Sequence, residues 1–240
     1  MRIMLVDELQ NHEGRPLWHK SQSSDTALLM LTSGSTAKPR LVILTHRNLI
    51  SSAISNAEAN DLSSSDTSLN WMPMEHIGAL AFHIRDVACG SRQIHTPTQY
   101  VLEEPLRWLD LMQQYAVTVC WAPNFAYGLI NQHLAKRQTG GWDLTSVRSL
   151  LNGSEAIVPR TAGQFLSQLR RYGLSSSCMV PCWGMTETAA AVTFNREFAS
   201  PAEVEIENVS VKTGSPVSGV SLRVVDDGGE VVEQGVTGHL

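Results

Sequence analysis

Two short stretches of this chain combine residue types that could do chemistry. The first, Thr32-Ser33-Gly34-Ser35-Thr36-Ala37-Lys38, carries four hydroxyls and one glycine in its first five residues. Small residues let backbone amides approach an anion, and hydroxyls donate to phosphate oxygens. Lys38 and Arg40 add positive charge. The stretch is not a P-loop of the G-x-x-x-x-G-K-[ST] form, because no second glycine stands five residues after Gly34. Nor is it a nucleophile elbow, because Ser35 has Ser33 before it and Ala37 after it where glycines are needed. An ordinary polar hairpin turn is the other reading.

The second stretch is Cys182-Trp183-Gly184-Met185-Thr186-Glu187-Thr188. A carboxylate near a bound triphosphate most naturally holds Mg²⁺. A flat aromatic beside a glycine can lie against a base. By itself the stretch reads equally as a strand end with a solvated glutamate.

The elements that must position these residues follow from the apolar pattern. Residues 27–31 and 41–44 are apolar runs of strand length, one on each side of the first stretch. Thr45 is placed to cap a helix reaching Ala59. A strand is expected at 69–72, ending at Pro73, and a helix at 78–89. Further helices are expected at 105–115, 123–138 and 159–172, alternating with strands at 117–121 and 149–151. Glu103 and Glu104 would sit at the positive end of the first of these helices, Pro123 and Pro159 would open the other two, and Gly140 and Gly173 would stop them. This alternation predicts an α/β fold, with mixed parallel sheets covered by helices. Near the C-terminus, Asp226-Asp227-Gly228-Gly229 between two apolar segments signals a β hairpin. Residues 1–25 are polar and irregular, as in a linker or tail.

Bulk properties exclude several classes. The chain has 240 residues, 42% hydrophobic and 17% charged, which is globular in character. Its net charge of −5 lacks the basic footprint of a nucleic-acid binder. No apolar run is long enough to span a membrane, and the first ten residues do not form a secretory signal. Cys89, Cys120, Cys178 and Cys182 lack zinc-site spacing and read as free thiols of a cytoplasmic protein.

The two stretches in this order resemble the AMP-binding superfamily of acyl-CoA synthetases, luciferases and peptide-synthetase adenylation domains. The text between them is similar to fatty-acyl-AMP ligases and to adenylation domains of polyketide and nonribosomal peptide synthases. The matching segments are Trp71-Met72-Pro73-Met74-Glu75-His76-Ile77-Gly78, Pro105-Leu106-Arg107-Trp108-Leu109, Ala122-Pro123-Asn124-Phe125-Ala126-Tyr127, Asn152-Gly153-Ser154-Glu155 and Gly214-Ser215-Pro216-Val217-Ser218-Gly219-Val220.

The resemblance implies part of the large N-terminal domain of an acyl-adenylate-forming enzyme. Such an enzyme joins a carboxylic acid to ATP with Mg²⁺, releases pyrophosphate, and passes the acyl group to a phosphopantetheine thiol on a carrier protein or to CoA, often beside other modules of a synthase. It places Thr32, Ser33, Gly34, Ser35, Thr36, Lys38 and Arg40 on the β- and γ-phosphates, Thr186 on the α-phosphate and Glu187 on Mg²⁺. It runs Asn152, Gly153, Ser154 and Glu155 along the adenosine, with Trp183 and Gly184 at the adenine. His76 would sit near the acid, or be a packed, hydrogen-bonded histidine. Phe125, Ala126 and Leu129 would line the acyl pocket or be plain core. An amino-acid substrate would need a carboxylate for its ammonium, and Glu75 and Asp86 are the candidates.

The sequence departs from the family pattern at Ala37, Arg40 and Leu41, where relatives carry glycine, lysine and glycine. On the same pattern, residues 26–240 are expected to be a partial domain, truncated at both ends. A non-catalytic remnant that keeps the fold without the chemistry is the alternative.

Overall fold

The computed structural model describes residues 19–32, 40–136, 141–198 and 210–240. Two sheets organise them. β1 (Thr26–Thr32) and β2 (Arg40–Thr45) form an antiparallel ribbon in which Thr32 pairs with Arg40. The remaining strands form a seven-stranded sheet in the order β4-β3-β5-β6-β7-β8-β9. They are β3 (Thr67–Asn70), β4 (Arg92–His95), β5 (Val119–Ala122), β6 (Ser149–Asn152), β7 (Met179–Met185), β8 (Ala190–Phe194) and β9 (Ser215–Pro216). β4, β3, β5, β6 and β7 run parallel, and the direction reverses at β8 and again at β9. The parallel strands β5 and β6 are buried along their whole length, as expected of a sheet covered on both faces.

The helices are α1 (His46–Ala59), α2 (Ile77–Cys89), α3 (Thr98–Glu103), α4 (Arg107–Gln114), α5 (Asn124–Lys136) and α6 (Pro159–Leu169). α1 begins with a capping box. Thr45 Oγ1 accepts from Asn48 N at 3.2 Å, and Asn48 Oδ1 accepts from Thr45 N at 2.9 Å. α2 ends at Gly90, which adopts φ +68°.

Neighbouring residues of β5 show which helices cover which face, because alternate side chains of a strand point to opposite sides. Trp121 stacks on His76 and meets Phe82 of α2. Cys120 lies beside Trp108 of α4, and burial pushes its thiol up to about 12. Trp108 in turn packs on Tyr127 of α5 and Phe165 of α6. The main core therefore has α2 on one side of the sheet and α4, α5 and α6 on the other.

Several sequence-based boundaries shift, for local reasons. The strand expected to reach Met72 ends at Asn70, whose side chain accepts from Met72 N and donates to Met72 O, turning the chain out of the sheet. Glu103 closes its own short helix, α3, and the next helix starts at Arg107 instead of Pro105. The helix from Pro159 stops at Leu169 and tightens into a 3₁₀ turn, Arg170–Tyr172. β4, β7, β8 and β9 are additional to the strands expected. The C-terminal hairpin is reduced to single bridges, Val225 with Val231 and Val225 with His239, around the turn at Asp226. Among the described residues no helix is long and apolar enough to cross a membrane.

Candidate active site

In an open sheet of parallel strands, ligands bind outside the carboxyl ends of the strands. Here that edge gathers four segments. Trp71 to His76 follow β3, Asn124 and Phe125 follow β5, Gly153 to Glu155 follow β6, and Thr186 to Thr188 follow β7.

The segment after β6 is tightly built. A Cβ on Gly153 would lie 2.7 Å from Cys182 Sγ and 2.8 Å from Cys182 O, so only glycine lets β6 and β7 end this close together. Ser154 adopts φ +71°, in the left-handed region. Glu155 Oε1 accepts from Phe125 N at 2.5 Å, which commits its carboxylate to the first turn of α5. Asn152 is fully buried, and neither polar atom of its side chain has a partner among the described residues.

The segment after β7 is a strained turn. Register shifts between Trp183 and Gly184. A Cβ on Gly184 would fall 2.0 Å from Ala190 O. Residues Thr186–Thr188 form a 3₁₀ turn, followed by Ala189 at φ +56° and Ala190 at φ +103°. Thr188 Oγ1 accepts from Met185 N at 3.0 Å and lies 2.7 Å from Ala190 O, so it clamps the turn from within. α1 holds it from outside, where Ser52 Oγ donates to Ala189 O at 3.0 Å and Asn56 Nδ2 to Ala191 O at 3.0 Å. What this leaves outward is Thr186, half-exposed, and Glu187, exposed. Neither side chain has a hydrogen-bond partner among the described residues. Trp183 is half-exposed beside them.

The ribbon that flanks the first motif packs at the same place. Met30 and Leu44 of the β1–β2 ribbon share one buried cluster with Leu49, Ile77, Ala81, Ala189 and Ala190. The ribbon is thus seated on the residues that follow Thr186 and Glu187. Thr32 and Arg40 are its last described pair. Ser33, Gly34, Ser35, Thr36 and Lys38 lie outside the described residues.

His76 caps α2. Its Nδ1 accepts from Gly78 N at 3.1 Å, and its ring lies on Trp121 at 5.6 Å with 26° between planes. Burial against these atoms lowers its pKa below 6.5. The imidazole is therefore neutral near pH 7, with Nε2 as its remaining donor. Packing and access are both present, since the residue stays exposed at the rim. Phe125 is exposed beside Trp71, Ala126 is core, and Leu129 is half-buried.

The two candidate carboxylates differ. Glu75 is exposed. Asp86 is buried, with its Oδ1 2.7 Å from Arg85 Nη2 and 2.8 Å from Nε. The other buried carboxylate, Asp66, is held by Arg148 and Thr118 at the far end of the sheet. Among the described residues no group of three His, Cys, Asp or Glu could hold a metal ion. A magnesium ion here would have one protein carboxylate, Glu187, and would rely on nucleotide phosphates and water, a set that suits Mg²⁺.

The family profile described as AMP-binding enzyme matches residues 4–240. The chain belongs to this AMP-binding enzyme family. Atromentin synthetase invA1 of Paxillus involutus is 34% identical over 223 residues, which is 90% of this chain and 22% of that protein. The structure of McyG A-PCP complexed with phenylalanyl-adenylate matches with TM-score 0.91 and 34% identity, over 97% of this chain and 37% of that one. The adenylation domain of a keto acid-selecting nonribosomal peptide synthetase module, bound to keto acyl adenylate, matches with TM-score 0.83 and 32% identity, over 90% of this chain and 43% of that one. The chain thus spans about a quarter of the curated relative and less than half of the solved structures.

The motif signal missed Thr188 and Trp121, which shape the site by clamping the turn after β7 and by stacking on His76. Thr188 lies inside the motif, and nothing in residue type distinguishes it from Thr186.

Proposed function

We propose that residues 26–240 are part of an adenylation domain of a cytoplasmic synthase, with residues 1–25 as a linker. It activates a carboxylic acid as acyl-AMP, releasing pyrophosphate, for transfer to a phosphopantetheine thiol on a carrier protein or to CoA. The observation that carries this reading is the seating of the β1–β2 ribbon on the turn that presents Thr186 and Glu187. It brings Thr32 and Arg40, which flank the hydroxyl-rich stretch, toward the turn that presents Glu187 at the carboxyl edge of the sheet.

In this reading the acid's carboxylate oxygen attacks the α-phosphorus in line and pyrophosphate leaves, so the protein's work is positioning and charge stabilisation. Residues 32–38 and Arg40 hold the β- and γ-phosphates. Thr186 Oγ1 donates to the α-phosphate, and Glu187 would hold Mg²⁺, which when bound would supply positive charge to the phosphates. The backbone at Gly153 and Ser154 follows the adenosine, and Trp183 and Gly184 meet the adenine. Neutral His76 offers Nε2–H to the incoming carboxylate.

The substrate is an acid without an α-ammonium, such as the keto acid of the similar solved structure. Both buried carboxylates among the described residues are already paired with arginine, so no buried group answers an ammonium. The second reading, a remnant without catalysis, draws on Ala37, Arg40 and Leu41, which replace residues the family pattern favours in the phosphate loop.

Titration of the chain with a non-hydrolysable keto acyl sulfamoyladenosine, followed by thermal unfolding, tests both. A ligand that binds only the folded state raises its apparent stability by mass action. An upward shift that Mg-ATP competes away supports acid activation. A cooperatively unfolding chain whose midpoint never moves supports the remnant.

A further inference from the structure

Ala189 and Ala190 carry backbone strain. Both adopt positive φ, +56° and +103°, and both are buried. Alanine stays in this region only where its surroundings hold it there. Thr186 and Glu187 stand just before the pair, so the direction in which their side chains leave the turn depends on how firmly the pair is held. Thr188 closes the turn from within. The hold from elsewhere in the chain comes from α1.

Ser52 and Asn56 are one turn apart on α1 and share a face. Ser52 Oγ donates to Ala189 O at 3.0 Å, across 137 residues of sequence. Asn56 Nδ2 donates to Ala191 O at 3.0 Å and to Ser52 O at 2.9 Å. Asn56 is 2% exposed, and its Oδ1 has no donor among the described residues. A buried amide with an unanswered oxygen costs stability that an apolar side chain of the same size would not. Packing therefore does not account for Asn56, whereas its bond to Ala191 does. α1 is also continuous with the β1–β2 ribbon, because Thr45 both ends β2 and caps the helix. Leu49 of α1 lies in one buried cluster with Met30 and Leu44 of the ribbon and with Ala189 and Ala190.

We infer that Ser52 and Asn56 are positioning residues for the activation step: they fix the strained turn so that Glu187 is aimed at the magnesium of the nucleotide, in one frame with the ribbon that carries Thr32 and Arg40. The inference rests on the acid-activating reading above, in which Glu187 would hold Mg²⁺. Neither residue touches the nucleotide, and both act through the backbone of Ala189 to Ala191. Without the two donors the turn relaxes away from positive φ, and the Glu187 carboxylate leaves the place where a metal would meet it. Binding that needs the metal then suffers, while binding to the rest of the nucleotide does not.

Calorimetric titration of the chain with ATP, once in EDTA and once in excess Mg²⁺, gives the gain in affinity that magnesium supplies. Ser52→Ala and Asn56→Leu should each cut that gain at least about threefold, the scale of one lost hydrogen bond, and leave the affinity in EDTA unchanged. Ser52→Thr keeps the hydroxyl and should restore the gain. In a Glu187→Ala background, Ser52→Ala should change nothing further, because a positioning residue acts only through the group it positions. Alanine favours a helix, so Ser52→Ala carries the test even where Asn56→Leu unfolds the chain. A full magnesium gain in Ser52→Ala overturns the inference and leaves acid activation standing. A loss that is equal in EDTA and in Mg²⁺, or that persists without Glu187, also overturns it and makes the two residues structural only. An unaltered chain that gains nothing from magnesium overturns the metal role of Glu187 and the inference with it.

Discussion

The carboxylate of Glu155 accepts a hydrogen bond from the backbone amide of Phe125 at 2.5 Å, joining the loop after β6 to the first turn of α5. The contact crosses 30 residues of sequence and fixes two of the segments at the rim relative to each other. Glu155→Ala leaves an orphan amide at a helix start, and a loss of about 1 kcal/mol is expected. Urea unfolding midpoints measure it. Glu155→Gln keeps an acceptor and should recover part of the loss.

Glu187 is exposed and, among the described residues, its side chain makes no hydrogen bond or ion pair. Replacing it by alanine should change unfolding stability by less than about 0.5 kcal/mol. The same variant should weaken Mg-ATP binding at least about tenfold, the scale of one lost charged contact. Unchanged Mg-dependent affinity would remove Glu187 from the metal site.

Gly184 behaves in the opposite way. Its Cβ position is occupied by Ala190 O, so Gly184→Ala must push β7 and β8 apart at the turn bearing Thr186. The expected cost is at least about 2 kcal/mol, together with loss of adenylate-mimic binding. A variant that keeps its melting temperature would mean that the bulge relaxes freely.

Asp66 contributes to the acid limit of the fold. Burial alone would raise its pKa, but Arg148, Thr118 and the Ser63 amide outweigh that and hold it below 3.8. A depressed carboxylate stabilises the fold above its unfolded pKa, and that contribution disappears as pH falls through the folded value. Melting temperature should therefore drop on acidification below 3.8. Asp66→Asn should melt lower at neutral pH and show a shallower acid limb.

His76 acts in a higher window. Its folded pKa lies below 6.5, so between the two values the unfolded chain binds the extra proton. Stability from the neutral ring is present above 6.5 and declines as pH falls below it. Protonation also removes the Nδ1 acceptor that caps α2. An NMR titration should place the His76 midpoint below that of a free imidazole, and His76→Gln should abolish this part of the pH dependence. A midpoint at or above 6.5 would contradict the packing described.

The sequence by itself determined a good deal. The apolar runs on either side of the hydroxyl-rich stretch, the Trp183 to Thr188 motif, the Thr45 cap and the proline-initiated helix at Pro159 are local signals, and each is present as a strand, turn, cap or helix start. The alternation of strands and helices was enough for an α/β sheet. Boundaries slipped where a side chain turned the backbone, as Asn70 does, because hydrogen bonds over two residues leave no periodic trace.

What only the tertiary structure decided is which surfaces meet. Apolar periodicity marks a face of an element but not the element that covers it. The seating of Met30 and Leu44 on Ala189 and Ala190 joins segments at opposite ends of the chain. The same limit hid the pairing of Asp86 with Arg85, which turns a candidate ammonium partner into a neutralised pair. It also hid the role of His76, whose ring caps a helix and stacks on Trp121 while the residue stays exposed. Each of these depends on contacts made across the sheet, and a residue's type does not specify them.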